Sequence, residues 1–429
     1  MYNNDRKWVQ MMDGFVLFGD IVHTAPDSGL SLHGHSHLVV ESGRCAGVFP
    51  ILPERFRGLP IENCAGLIVP GFADLHLHAP QHRNLGLGLD MELLDWLNTI
   101  TFPTEAHFSD EDFAAAEYEK FSAALRRSAT TRACVFATIH GDATLQLMRL
   151  LEQSGLFTFV GKVNMDRNSP AFYVEDSASK SLRATERWLD AADSFTHCRP
   201  ILTPRFVPSC SDELLSGLGR LARERKLPLQ SHLSENLREI AWVKKLCPDS
   251  SSYTGVYEAF GLLGERSIMA HCVHLSGREI DIIHDTGTFA AHCPTSNINV
   301  RSGAAPVRRY LDAGLNIGLG SDISGGHTLD LFEVMRAAID VSKLRWRLVD
   351  DSLPALTAAD AFALATRRGG AFFGKVGAFD AGYEADILVV DDRRYVNSED
   401  SLSQRFERMV HLARAEDVAH KYVAGVRIF

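Results

Sequence analysis

The sequence predicts an α/β fold. Residues 69–376 read as a (β/α)8 TIM-type barrel, and both chain ends, 1–68 and 377–429, read as one small β-rich, sandwich-like domain. Three observations predict this. Short apolar runs near 72–77, 132–137, 157–163, 199–203, 227–231, 267–270, 287–291 and 315–320 alternate with stretches of helical spacing such as 111–127, 212–225, 235–246 and 329–344. Eight strand–helix repeats over roughly 300 residues match the span of such a barrel. Polar residues sit where the runs end, and barrels of this kind build their sites at the C-terminal ends of the strands. The two chain ends share a different texture, of short β-like runs broken by turns, and chain termini commonly lie close together.

Taken in order, Phe15 to Phe18, His37 to Val40 and Ala65 to Val69 are the first strand candidates. The first run of the middle ends on His76 and His78, within Pro70-Gly71-Phe72-Ala73-Asp74-Leu75-His76-Leu77-His78. Arg205 follows the fourth run, His232 ends the fifth, His271 the sixth, and Asp322 follows the eighth. At the far end, Ala385 to Val390 and Lys421 to Val426 return to the short β pattern. There is no phosphate-binding Gly-x-x-x-x-Gly-Lys loop and no dinucleotide glycine fingerprint.

Composition narrows the function classes. A chain of 429 residues that is 45% hydrophobic can bury a large core, and its size favours one large domain plus a smaller one. The net charge of −10 argues against a broad basic face for nucleic acid or an anionic membrane. No stretch approaches the ~20 apolar residues of a membrane helix, and Met1 to Trp8 lack the apolar segment of a secretory signal. Eight cysteines with no Cys-x-x-Cys spacing read as reduced thiols of a cytoplasmic protein.

The chemistry lies in the polar strand ends. His76 and His78 alternate on one strand and so face the same side. With His232 and Asp322 they make three imidazoles and one carboxylate, a set that holds a zinc-like cation and leaves a position open for water. A cation held so makes hydroxide available near neutral pH. Glu235, three residues after His232, is placed to carry protons. Its plainer role is in a helix start, with Ser234 before Glu235 and Asn236. His271 either joins a second metal or hydrogen-bonds water or substrate. No lysine that could bridge two metals stands at Thr203-Pro204-Arg205-Phe206, which favours one metal. His292 reads as structural. Gln81 offers a donor and an acceptor, Arg205 a planar donor fork and Phe206 an apolar face.

On these motifs the chain resembles the amidohydrolase superfamily and, within it, the guanine deaminase family. The more specific motifs are His78-Ala79-Pro80-Gln81, Trp96-Leu97, Thr101-Phe102-Pro103-Thr104-Glu105, Phe136 to His140, Gly161-Lys162-Val163, Thr203 to Phe206, Gln230 to Asn236 and Met269-Ala270-His271. Pro80 is a departure, where a small residue is expected before Gln81. The resemblance implies one zinc per chain on His76, His78, His232 and Asp322, with Fe2+ admissible to the same donors. It implies Glu235, His271 and Asp322 as catalytic groups. It implies that Gln81, Arg205 and Phe206 hold the purine, with His232 and Glu235 beside it. It also implies a homodimer and hydrolysis of guanine to xanthine and ammonia. Two alternatives stand beside this: a related enzyme deaminating or dechlorinating a pterin, triazine or other ring, and a non-catalytic scaffold of the same fold.

Overall fold

The computed structural model describes residues 14–27 and 29–429, so the reading of Met1 to Trp8 lies outside the described residues. The fold is mixed α/β. Its largest sheet has seven strands drawn from both parts of the chain: β1 (Gly14–Thr24), β2 (Leu30–Glu41), β3 (Arg44–Phe49) and β4 (Ile61–Pro70), then β15 (Ile387–Val390), β16 (Val418–Val423) and β17 (Val426–Arg427). Their order is β17-β16-β15-β4-β1-β2-β3. Strand β4 is central, parallel to β1 and antiparallel to β15.

The middle of the chain forms parallel strands. One four-stranded sheet runs β5 (Phe72–His78), β6 (Thr130–Phe136), β7 (Phe157–Gly161) and β9 (Cys198–Pro200). A second runs β11 (Leu229–Leu233), β12 (Ser267–His271), β13 (Phe289–His292) and β14 (Asn316–Leu319). A short pair, β8 (Val163–Asn164) and β10 (Thr203–Pro204), sits beside them. Every residue of β5 and β6 is buried, as expected of strands covered on both faces. Backbone hydrogen bonds connect the two sheets on both sides. Leu202 N donates to Pro228 O and Gln230 N to Leu202 O, each at 2.9 Å, while Asp322 N donates to His76 O at 2.8 Å and His78 N to Ile323 O at 3.2 Å.

Local sequence explains the element ends. The helix Glu111–Arg127 is capped by the Asp110 carboxylate, and Asp212–Arg225 by the Ser211 hydroxyl. The run expected at 199–203 is split into β9 and β10. Pro200 and Pro204 have no N–H to give a continuous ladder.

Buried charge ties the seven-stranded sheet to the strands beside it. Arg132 on β6 donates from Nε to Asp386 Oδ2 at 2.6 Å and from Nη2 to Asp386 Oδ1 at 2.8 Å and Glu384 Oε2 at 2.7 Å. Lys421 on β16 reaches the last carbonyls of helix Glu111–Arg127 and its flank, Arg126 O at 3.1 Å and Ser128 O at 2.9 Å. No helix among the described residues is long and apolar enough to cross a membrane. All eight cysteines are free thiols.

Candidate active site

The polar residues at the strand ends converge. His78 Nε2 lies 3.2 Å from His232 Nε2. Asp322 Oδ1 lies 3.2 Å from His76 Nε2 and 3.5 Å from His78 Nε2. His271 Nε2 is 3.7 Å from Asp322 Oδ2 and 3.4 Å from Glu235 Oε2. The backbone at His271 (φ 72°) and Asp322 (φ 46°) is left-handed, a costly conformation for residues with side chains and one that clusters at functional sites.

Asp74 fixes the floor. Its Oδ1 accepts the backbone N–H groups of His76 at 3.2 Å and Ser321 at 3.0 Å, so one carboxylate ties β5 to the turn that carries Asp322. Burial raises its pKa to about 6 against the pull of those bonds.

These donors suit a divalent cation. Burial, reinforced by the neighbouring His76, drives the imidazoles of His78 and His232 well below their usual pKa, which keeps them neutral and able to ligate. His232 Nδ1 sits 2.5 Å from Arg205 O. A carbonyl only accepts, so the proton is on Nδ1 and the Nε2 lone pair faces the cluster. Both ring nitrogens of His76 are buried without an aligned hydrogen-bond partner. Ligand atoms of His76, His78 and Asp322 lie within 4.8 Å of one another, as do those of His76, His232 and His271. His271 therefore stands as close to the cluster as the four residues expected to ligate. Cys293 falls within the same radius of His271 and Asp322. Its thiol is pushed well above the usual range, by burial first, and stays protonated.

The two carboxylates are driven apart. Burial works against a charge on Asp322, but the imidazoles of His76 and His271 outweigh it and hold it ionised. Burial and the Asp322 charge raise Glu235 to about 8, although Ser302 donates to its Oε1 at 3.0 Å. Paired groups shifted in opposite directions are a signature of acid–base division of labour. The Glu235 side chain has no part in starting the helix that follows. Asn236 caps Leu237–Leu246, and Glu239 closes the box and also accepts the Glu235 N–H at 2.9 Å. The Glu235 side chain is thereby left to face the cleft.

Gln81, Arg205 and Phe206 line that same cleft with Trp96 and Leu97. Pro80 is accommodated at the start of the short helix Ala79–Asn84, where a missing N–H costs nothing. His292 does not line the cleft. It is buried at the end of β13 and held near pKa 3, by burial and then by His271. Sequence reading missed Glu105, which bonds both Gln81 and Arg205. It missed Asn297, whose Oδ1 lies 2.9 Å from His271 Nδ1, and Ser302. Glu105 stood in a recognised motif, and an acid closing an apolar Phe-Pro-Thr stretch was the available signal.

The amidohydrolase family model matches residues 67–428. The chain belongs to the amidohydrolase family. It is 41% identical over 373 residues to the guanine deaminase of Dictyostelium discoideum, covering 84% of this chain and 82% of that one. It is 35% identical over 375 residues to the guanine deaminase of Escherichia coli strain K12, covering 85% and 83%. The crystal structure of guanine deaminase from C. acetobutylicum with bound guanine in the active site superposes with a TM-score of 0.94 at 44% identity, covering 97% of this chain and 100% of that one. Within the family, these relatives are guanine deaminases.

Proposed function

We propose that this chain hydrolyses guanine and water to xanthine and ammonia, a step of purine breakdown. One observation carries the reading. Glu235 and Asp322, with opposite proton affinities, face His271 at 3.4 and 3.7 Å over a buried histidine cluster, at the floor of a cleft lined by Gln81, Arg205 and Phe206. The relatedness to guanine deaminases supports the substrate.

His76, His78, His232 and Asp322 would hold the cation, taken as one zinc per chain, with Fe2+ compatible with the same donors. Such an ion supplies an acidified water at neutral pH. Asp322 or Glu235 would be the base that takes its proton. Glu235 protonates the ring nitrogen beside the reacting carbon and then the departing amine, so that a C–O bond replaces the C–N bond and ammonia leaves. His271 orients the oxygen. Gln81 and Arg205 read the purine edge, and Phe206 packs on its face.

The same reading closes the two parallel sheets into a (β/α)8 barrel, supported by the hydrogen bonds of Leu202 to the β11 segment and of His76 to Asp322. It divides the chain into 69–376 and a small domain of 1–68 with 377–429, of which 1–13 and 28 lie outside the described residues. A homodimer follows from the family resemblance. The eight unpaired cysteines support a cytoplasmic setting.

The test is to incubate metal-replete protein with guanine and follow xanthine and ammonia together. Equal appearance of both is expected. No turnover by folded, metal-holding protein would move the substrate to another ring, such as a pterin or triazine.

A further inference from the structure

Glu105 is fully buried beside the cleft, on the short helix Phe102–Ala106, and four donor atoms from three separate parts of the chain converge on its two oxygens. Oε1 accepts from Gln81 Nε2 at 2.8 Å and from Arg205 Nη2 at 3.1 Å. Oε2 accepts from Arg205 Nη1 at 2.6 Å and from the Tyr173 hydroxyl at 2.7 Å. Four donors fill the acceptor capacity of a carboxylate, so Glu105 has little left to offer a ligand directly. Its effect must pass through the side chains it holds.

That effect is directional. An amide has two ends of opposite character, and one that turns over presents the reverse pattern to a ligand. The Glu105 carboxylate accepts, so it requires the nitrogen of Gln81 on its side. Gln81 Oε1 is then turned the other way, where Ser324 N lies at 3.4 Å. Arg205 is fixed at the same time. Both terminal nitrogens of its fork are engaged, and its guanidinium carbon stands 4.9 Å from the centre of the Phe102 ring. The charge of Arg205 is matched by that of Glu105, as suits a cleft that receives a neutral ring.

Building on the purine reading given above, we propose that Glu105 is the positioning residue that sets substrate specificity. By fixing the amide of Gln81 and the plane of Arg205, it imposes the donor–acceptor pattern that accepts guanine. A purine with the inverse edge is rejected. In 2,6-diaminopurine an amino donor replaces the carbonyl acceptor, and an unprotonated ring nitrogen replaces the N–H.

Glu105→Gln keeps the shape but lets either end of the Gln81 amide face it and leaves Arg205 without its counter-charge. The experiment compares kcat and KM for guanine and 2,6-diaminopurine in the metal-loaded protein, the E105Q variant and the E105D variant. Expected for E105Q is a KM for guanine raised about tenfold or more, a kcat changed much less, and a guanine preference that shrinks by at least the same factor. E105D, which keeps the acceptor, should recover part of the preference. In a Gln81→Ala background the effect of E105Q on the preference should shrink, because one of the two side chains it acts through is gone. Should E105Q fail to fold, Tyr173→Phe removes a single donor to Glu105 and is expected to shift KM and preference in the same direction by less. Unchanged KM and preference in whichever variant folds with full metal would overturn the proposal. Guanine turnover by the unaltered protein tests the substrate reading separately; its absence would overturn that reading whatever the variants do.

Discussion

His78 Nε2 and His232 Nε2 lie 3.2 Å apart, although 154 positions separate the two residues in the chain. With His232 Nδ1 committed to the Arg205 carbonyl, its Nε2 lone pair points at His78 and has no proton of its own to offer. Two buried nitrogens this close are best satisfied by a shared cation. Stripping metal with a chelator should therefore lower the melting temperature, and adding zinc or Fe2+ should restore it. At an ion concentration a hundredfold above Kd the stabilisation is about 2.7 kcal/mol. Identical melting of metal-free and metal-loaded protein would count against this ligand set.

Glu235→Gln removes the proposed proton carrier but leaves the histidines and Asp322 in place. Turnover of guanine should fall about 10²–10⁴-fold, the range for a lost general acid–base. Metal content per chain should be unchanged. A variant with near-normal turnover would remove Glu235 from the proton path.

Stability should fall on mild acidification, and His23 is one identifiable cause. Burial holds its pKa near 4, against a smaller opposing pull from Asp380, below the ordinary 6.5. Between those values the unfolded chain binds a proton that the folded chain refuses. Stability is thus fully present above about pH 6.5 and declines as pH drops toward 4, by at most about 1.4 kcal/mol per pH unit for one group. Denaturant midpoints measured across this range should fall less steeply in His23→Gln. Parallel slopes for the two proteins would assign the acid sensitivity elsewhere.

The pair Arg132–Asp386 is buried on both sides, 2% and 0% exposed, and Asp386 also accepts the Ala424 N–H at 2.8 Å. Asp386→Ala would leave a buried guanidinium with only Glu384 beside it. Breaking such a pair costs about 3–5 kcal/mol. Equilibrium denaturation should show a loss of that order, and a change below about 1 kcal/mol would mean that water or Glu384 compensates.

The site residues that the sequence made legible were those whose chemistry is rare and whose position is periodic. His76, His78, His232 and His271 stand on parallel strands that end at one face, so residue type and strand phase were enough to group them. Glu105, Asn297 and Ser302 escaped because each acts through a partner far along the chain, 100 residues away for Glu105 and Arg205. No local period records such a pairing. The Glu235 segment shows a second limit. Ser234, Asn236 and Glu239 all suit a helix start, and only the backbone conformation selects Asn236. The fourth apolar run had the right composition for a strand, but Pro200 within it and Pro204 just after it divided the ladder.

Strand β4 passes into β5 through the single residue Gly71, whose N–H donates to Asp386 O at 2.9 Å. A methyl group there would meet Thr131 at 2.4 Å, so the crossing is packed as tightly as the strands it joins. The strand carrying His76 and His78 is thus the far end of a rod whose near end is clamped in the seven-stranded sheet. For protein engineering this means that the hydrolytic half cannot be lifted out as a cassette. A cut near 69 would turn the strand carrying His76 and His78 into a fraying terminus and would sever β4 within its pairing to β15. Grafts and fusions should keep both chain ends and place insertions in loops away from this crossing.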